Sequence, residues 1–274
     1  MQTHSVNLKS CPVLVENPVN DYLFQENKMT QLVLREDRNG IAILTLNRPE
    51  VLNALSPSLF VELRSHLDKL AEENESIGCV ILRGAGRSFS SGNDLGAIQA
   101  GERAPTRHYQ AETLEKIESL PQPVIASVKG HCYTGALELV LACDLLIAGD
   151  SAKFADTHGK WGMTPTWGMT RRLPARIGLV RAKEMMFSGR VVTGTESVSL
   201  GLSNQCVPDE ELDAASLAMA ESFVANSWFT LCTEKKLLAG GQNLHHSAAL
   251  EYERANSPGA GPDMAERLKN FGKK

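Results

Sequence analysis

Apolar positions recur along this chain at two periods, and the two periods alternate. Gln31 to Arg35 and Ile41 to Leu46 alternate or run β-branched on either side of Arg38-Asn39-Gly40, the pattern of a hairpin with a short Asn-Gly turn. Ser56-Pro57 then opens a helix, and Leu59, Phe60, Leu63, Leu67 and Leu70 mark one helical face to about Glu73. Cys79 to Leu82 reads as a short buried strand stopped by Gly84-Ala85-Gly86, and Arg87 to Gly96 as a loop entering a helix. Residues 97–106 are polar, with Gly101 and Pro105, and predict a mobile surface segment. A helix from about Thr106 to Leu120 ends at Pro121 and Pro123; strand 124–128, helix 136–142 and strand 144–148 follow. Phe154 to Trp167 is mostly irregular. From Met169 onward the pattern is helical, with Gly189–Thr193 and Ser203–Val207 as short exceptions, a polar break at 256–263 and a last helix from Asp263 to Phe271. Strands alternating with helices, then a helical C-terminal third, predict an α/β core with a helical appendage. The division falls near residue 205, where the texture shifts but no flexible linker stands.

The stretch Gly130 to Asp144 organises this pattern. Val124 to Val128 feeds a turn at Lys129-Gly130, and a loop opens at Gly135 into a helix with one carboxylate, Glu138, between Leu137 and Leu139. A strand ending at small residues beside a helix start suits negative charge. A carboxylate in apolar surroundings is a candidate acid or base with a raised pKa. A second loop, Ser88 to Leu95, is also rich in small residues, follows a buried strand and precedes a helix. Two such loops can each aim one backbone N–H at a shared point, which would stabilise charge developing on a carbonyl oxygen. A pair of ordinary tight turns is the competing reading, and periodicity alone favours it.

Composition narrows the function classes. The 274 residues carry 42% hydrophobic and 22% charged side chains, ordinary for a soluble globular protein. A formal net charge of −4, with basic residues scattered, argues against a dedicated nucleic-acid binder. No apolar run reaches the roughly 20 residues that span a bilayer. Six cysteines stand far apart with no CxxC pair, which suggests reduced, buried thiols and a cytoplasmic protein. Residues 1–29 read as a loosely ordered extension, with Met29 as an alternative functional start; 30–205 read as the core and 206–274 as the helical region. Gly84-Ala85-Gly86 lacks the third glycine of a dinucleotide fingerprint, and neither GxxxxGK[ST], HExxH nor GxSxG occurs. His245-His246 is adjacent, not spaced for a metal, so no metal site is expected.

Four collinear motifs resemble one family. Asn47 to Leu55, Gly86 to Leu95, the stretch 130–144, and Gly168 to Ala182 are similar, in order and spacing, to the enoyl-CoA hydratase/isomerase (crotonase) superfamily. The resemblance covers roughly Leu32 to Phe271. It implies an α/β fold, a crotonase-like spiral of ββα turns with a C-terminal helical trimerisation region. It implies homotrimers or dimers of trimers, a coenzyme A thioester as substrate, and no cofactor apart from the coenzyme A that the substrate carries. It assigns the oxyanion hole to the backbone N–H groups of Asn93 and Gly135. Val51, Leu52, Arg87, Ser91, Asn93, Asp94, Leu95, Gly96 and Gly135 fall where the family touches its substrate. Asp94 is also read as a cap for the helix that follows. Asn93 stands where alanine is usual, and Glu50 where lysine is common, so Glu50 is not counted as a binder.

A thioester carbonyl polarised by two amides has an acidified α-proton and an electrophilic β-carbon, and the surrounding acid/base groups select the reaction. Hydratases of the family hold one water between two glutamates. Glu138 matches the first; the second position, twenty residues on, is His158. Histidine exchanges a proton near neutral pH and can replace a carboxylate in that role; a loop histidine with a local hydrogen bond is the alternative. Trp161 and Trp167 fit either an acyl pocket or core packing, and His131 is left out of the candidate set. The reading is an enoyl-CoA hydratase in which Glu138 and His158 share the water. Its alternatives are a double-bond isomerase, a decarboxylase or a thioester hydrolase on the same hole, or a non-catalytic acyl-CoA-binding scaffold.

Overall fold

Every residue from Ile41 to Leu46 is buried, and this strand shows why the sheet has two covered faces. The structure, a computed structural model, describes residues 31–269 and Phe271; the extension expected over residues 1–29 lies outside the described residues. The strands are β1 (Val33–Arg38), β2 (Ile41–Leu46), β3 (Cys79–Gly84), β4 (Val124–Val128), β5 (His131–Tyr133), β6 (Leu145–Gly149), β7 (Lys153–Ala155), β8 (Val192–Thr193) and β9 (Gln205–Val207). The helices are α1 (Pro57–Glu72), α2 (Leu95–Gln99), α3 (Tyr109–Ser119), α4 (Gly135–Leu141), α5 (Met169–Ile177), α6 (Leu179–Ser188), α7 (Gly194–Ser199), α8 (Leu212–Val224), α9 (Trp228–Gly241), α10 (His246–Asn256) and α11 (Met264–Leu268).

One sheet runs β1-β2-β3-β4-β6-β9, parallel except for the β1–β2 hairpin. The hairpin turns at Asn39 and Gly40, both at positive φ (50° and 80°), which is why that dipeptide is needed there. Side chains alternate across the sheet. Ile41, Ile43, Ile81, Ile125 and Ile147 face α8, where Ser216 also donates to Ser127. Ala42, Leu44, Leu46, Val80, Leu82, Ala126 and Leu146 face the larger core with α1 and α4. A parallel sheet covered on both faces reads as continuous apolar runs, as these strands do. The Ser56 hydroxyl accepts from the Leu59 amide and caps α1, an interaction worth about 1 kcal/mol.

The boundary expected at 205/206 falls inside β9, which closes the sheet, and α8 still packs on it. Beyond α8, the helices α9, α10 and α11 have no fully buried residue within the chain. A second sheet, β5-β7-β8, passes unnoticed in the sequence because its strands are two or three residues long. It is the sheet that builds the site.

Candidate active site

Three neighbouring segments carry the chemistry, and backbone pairing sets them side by side. Ser90 bridges Cys132 of β5, and β5 pairs in parallel with β7, Tyr133 opposite Ala155. Just beyond these pairs lie Asn93, the Gly135 start of α4, and the loop Asp156-Thr157-His158. Parallel pairing thus brings the ends of all three segments together, although twenty residues separate Glu138 from His158. The loops that leave β2, β3 and β4 gather here as well, at the carboxyl ends of parallel strands where α/β folds place ligands.

Glu138 is 2% exposed and His158 9%. Glu138 Oε1 accepts from the backbone N–H groups of Trp167 (3.0 Å) and Met169 (3.1 Å), which leaves Oε2 facing His158 Nε2 at 3.9 Å. Burial pushes the Glu138 carboxyl above the ordinary carboxylate range, against the pull of the Met169 amide, the His158 charge and the Trp167 amide. On its other side the His158 ring meets buried Asp156: Oδ1 lies 2.6 Å from Nδ1 and also accepts from the His158 backbone N–H at 3.0 Å. Burial pulls the His158 pKa down, but the Asp156 hydrogen bond and the charges of Asp156 and Glu138 outweigh it, and the ring sits above its ordinary value. The two side chains face one another across a gap longer than a direct hydrogen bond.

Among the described residues, the backbone N–H groups of Asn93 and Gly135 donate to no protein acceptor. They are close to one another in the fold: a Cβ on Gly92, next to Asn93, would lie 2.6 Å from the Tyr133 carbonyl oxygen and 3.6 Å from the Gly135 nitrogen. Gly92 also sits at φ +98°, so no other residue fits. A Cβ on Gly135 would come within 2.5 Å of the Trp167 ring, which lies edge-on to Phe60 with centroids 5.1 Å apart. The structure thereby separates the two tryptophans: Trp167 is buried over Gly135, whereas Trp161 is 66% exposed. Thr134 precedes Gly135 at φ 52°, ψ −107°, a conformation costly for a β-branched residue. Its amide donates to the Ala155 carbonyl, and its hydroxyl meets the hydroxyl and accepts from the amide of Thr157.

The remaining sequence candidates lie along the rim. Val51, Arg87, Leu95 and Gly96 are exposed, Leu52 and Ser91 half-buried, and the Ser91 amide donates to the Leu52 carbonyl. The Asp94 carboxylate is committed to the protein, accepting from the Ala97 amide as the cap of α2 and from Arg48 at 2.6 Å. His131 meets the Ser88 hydroxyl at 3.1 Å; burial, Lys153 and Arg87 lower its pKa. Sequence reasoning passed over three residues that hold the site. Buried Asn53 donates to the Ala85 and Ser88 carbonyls and accepts from the Arg48 amide, knitting two loops. Thr134 ties the Gly135 and His158 segments, and Asp156 holds His158 within its loop. Only Asp156 left a signal, an acidic residue two positions before a candidate histidine.

Known proteins share this architecture. A family model described as enoyl-CoA hydratase/isomerase matches residues 36–259. A protein of Arabidopsis thaliana named probable enoyl-CoA hydratase 1, peroxisomal, is 32% identical over 226 residues, 82% of this chain and 85% of that protein. The crystal structure of an enoyl-CoA hydratase from Bacillus anthracis superimposes with a TM-score of 0.84 at 33% identity, covering 89% of this chain and 96% of that one. A monofunctional enoyl-CoA isomerase from M. smegmatis gives 0.71 at 34% identity, covering 81% and 99%. With strands, loops and motifs in the same order over most of its length, the chain has the crotonase fold and belongs to the enoyl-CoA hydratase/isomerase family.

Proposed function

We propose that this protein is an acyl-CoA-processing enzyme that adds water across the 2,3-double bond of an enoyl-CoA thioester. The observation that carries the reading is the facing pair, Glu138 Oε2 and His158 Nε2, beside two backbone amides without protein acceptors. An oxygen about 2.8 Å from each member of a pair 3.9 Å apart meets them at an angle of about 90°, so one water can bridge the two groups. Glu138 takes a proton from that water, whose oxygen forms the new bond to the β-carbon. The π electrons move onto the thioester oxygen, held by the Asn93 and Gly135 amides as an oxyanion hole. The enolate then collapses and its α-carbon takes the proton from His158 Nε2. Val51, Leu52, Arg87, Ser91, Leu95 and Gly96 border the route for the coenzyme A chain, and the reaction calls for no cofactor beyond that carried by the substrate.

The helical region is proposed as an oligomerisation surface. Phe187 and Val180 of α6 are each 82% exposed, and α9, α10 and α11 bury no residue within the chain. Second copies forming a trimer, or a dimer of trimers, would cover them. Among the described residues no helix is long and apolar enough to cross a membrane. A cytoplasmic location is proposed from the cysteine reading, Cys79, Cys132 and Cys143 being buried free thiols.

The deciding assay follows the absorbance of the conjugated thioester of crotonyl-CoA. Wild type is expected to bleach it and Glu138→Gln to leave it unchanged; a rate untouched by His158→Ala removes the histidine from the scheme. The likeness to an isomerase makes double-bond migration the second reading, and mass spectrometry separates the two, because only hydration adds a water to the product.

A further inference from the structure

Asp156 is a fully enclosed carboxylate that the scheme above leaves without a task. We infer that Asp156 is a positioning residue for the reaction: by holding His158 at Nδ1 it makes Nε2 the working nitrogen, so that His158 gives the proton and Glu138 receives one. The inference rests on the hydratase reading and says how its acid is made.

The hold has two points. Oδ1 of Asp156 accepts both the backbone N–H and the ring of His158, so the ring cannot swing without breaking a bond to a buried acceptor. An ionised carboxylate only accepts, so Nδ1 carries a hydrogen in both charge states of the ring, and Nε2 alone gains or loses the exchanged proton. Nε2 is the nitrogen that faces Glu138. The loop is fixed from below, since Thr157 is fastened to Thr134 and Ala155 accepts the Thr134 amide. The charged groups acting on His158 are Asp156 in its own loop and Glu138 on α4. Arg172 of α5 feels Glu138, but its guanidinium is engaged by Glu118 and the Trp167 carbonyl. The imidazolium therefore lies between two carboxylates.

This arrangement closes the cycle without an outside acid. After one turnover Glu138 Oε2 holds the proton from water and Nε2 has given its proton to the α-carbon. Transfer of the one from Oε2 to Nε2, across the 3.9 Å gap or through the next water, restores both groups. Water has then been added and no proton is gained or lost.

The tautomer is testable on the wild-type chain alone, by 15N NMR of its seven histidines, with the His158 signals assigned by their loss in His158→Gln. The expected pattern is Nδ1 protonated throughout and Nε2 titrating above the ordinary 6.5. Asp156→Asn is expected to move that titration to lower pH. With crotonyl-CoA it is expected to lower kcat roughly 10²-fold with KM little changed, and to shift the alkaline limb of kcat toward acid. A merely structural role would lower activity equally at every pH. The inference is overturned by an Nε2-protonated, Nδ1-free neutral ring in wild type, or by an Asp156→Asn alkaline limb that coincides with wild type. The tautomer measurement decides even if the variant does not fold. The expected tautomer without any hydration overturns the hydratase reading and leaves the hold on His158 standing; hydration with the other tautomer overturns the positioning role alone.

Discussion

The Thr134 hydroxyl meets the Thr157 hydroxyl and accepts from the Thr157 amide, which joins the residue before Gly135 to the residue before His158. The amide proposed to hold the enolate and the ring proposed to protonate it are thus set by one fastening. Thr134 holds it from a backbone conformation that glycine adopts freely and a β-branched residue does not. Thr134→Val keeps the strain and loses the hydroxyl, leaving the Thr157 amide without its acceptor, and is expected to cost about 1–3 kcal/mol in urea unfolding. Thr134→Gly relieves the strain as it loses the same bonds and is expected to cost less. Both are expected to lower kcat. A Gly variant less stable than the Val variant would show that the backbone is not strained there.

Gly135 is required for space. A Cβ there would press into the Trp167 ring at 2.5 Å, and that ring is backed by buried Phe60. Gly135→Ala is expected to destabilise by about 1–3 kcal/mol through overpacking. It should also change tryptophan fluorescence and disturb the Glu138 carboxylate through the Trp167 amide. Trp167→Ala is expected to cost about 3–5 kcal/mol, and Trp161→Ala, on an exposed ring, within about 0.5 kcal/mol of zero. Equal losses for the two tryptophans would contradict the packing described.

Phe187 tests the assembly. Its ring and Val180, about two helical turns apart on α6, both stand in solvent in the single chain, and exposed apolar surface of this kind marks interaction sites. Phe187→Glu places a charge in the proposed interface and is expected to lower the mass seen by light scattering toward that of one chain, with the circular dichroism of the fold kept. An unchanged mass, whether that of one chain or of three, removes α6 from the interface.

Long, regular elements were legible and short, paired ones were not. β2, β4, β6 and α1 follow from uninterrupted apolar runs, the Ser56 cap and helical spacing, all local signals. β1 spans Val33–Arg38 where Gln31 to Arg35 was expected, and it continues past Arg35 to Arg38 because an edge strand can keep charged side chains in solvent. β5, β7 and β8 exist only through pairing with one another, and nothing within two or three residues announces that. Glu138 stood out as a lone carboxylate between leucines, whereas His158 was found by family resemblance, since their meeting depends on β5 and β7. The amides of Trp167 and Met169, which fix Glu138 Oε1, leave no trace in side-chain pattern because any residue carries an amide.

The two raised pKa values set the form of the pH profile. The proposed active pair is an ionised Glu138 with a protonated His158. Activity should rise as Glu138 loses its proton, above the ordinary 4.5 because burial raises it. It should fall as His158 loses its own, above 6.5 because Asp156 and Glu138 outweigh burial there. The two apparent values belong to the coupled pair and shift together on mutation. Stability carries the same sign. A histidine whose pKa is raised by folding contributes stability that is fully present below its unfolded value and is lost as pH rises through the folded one. A buried carboxyl whose pKa is raised also makes the folded state bind more protons than the unfolded chain. Thermal unfolding is therefore expected at lower temperature as pH climbs past the His158 value, and His158→Gln should flatten that decline. A wild-type kcat still rising well beyond that value would mean that neutral His158 is the working form and acts as the base.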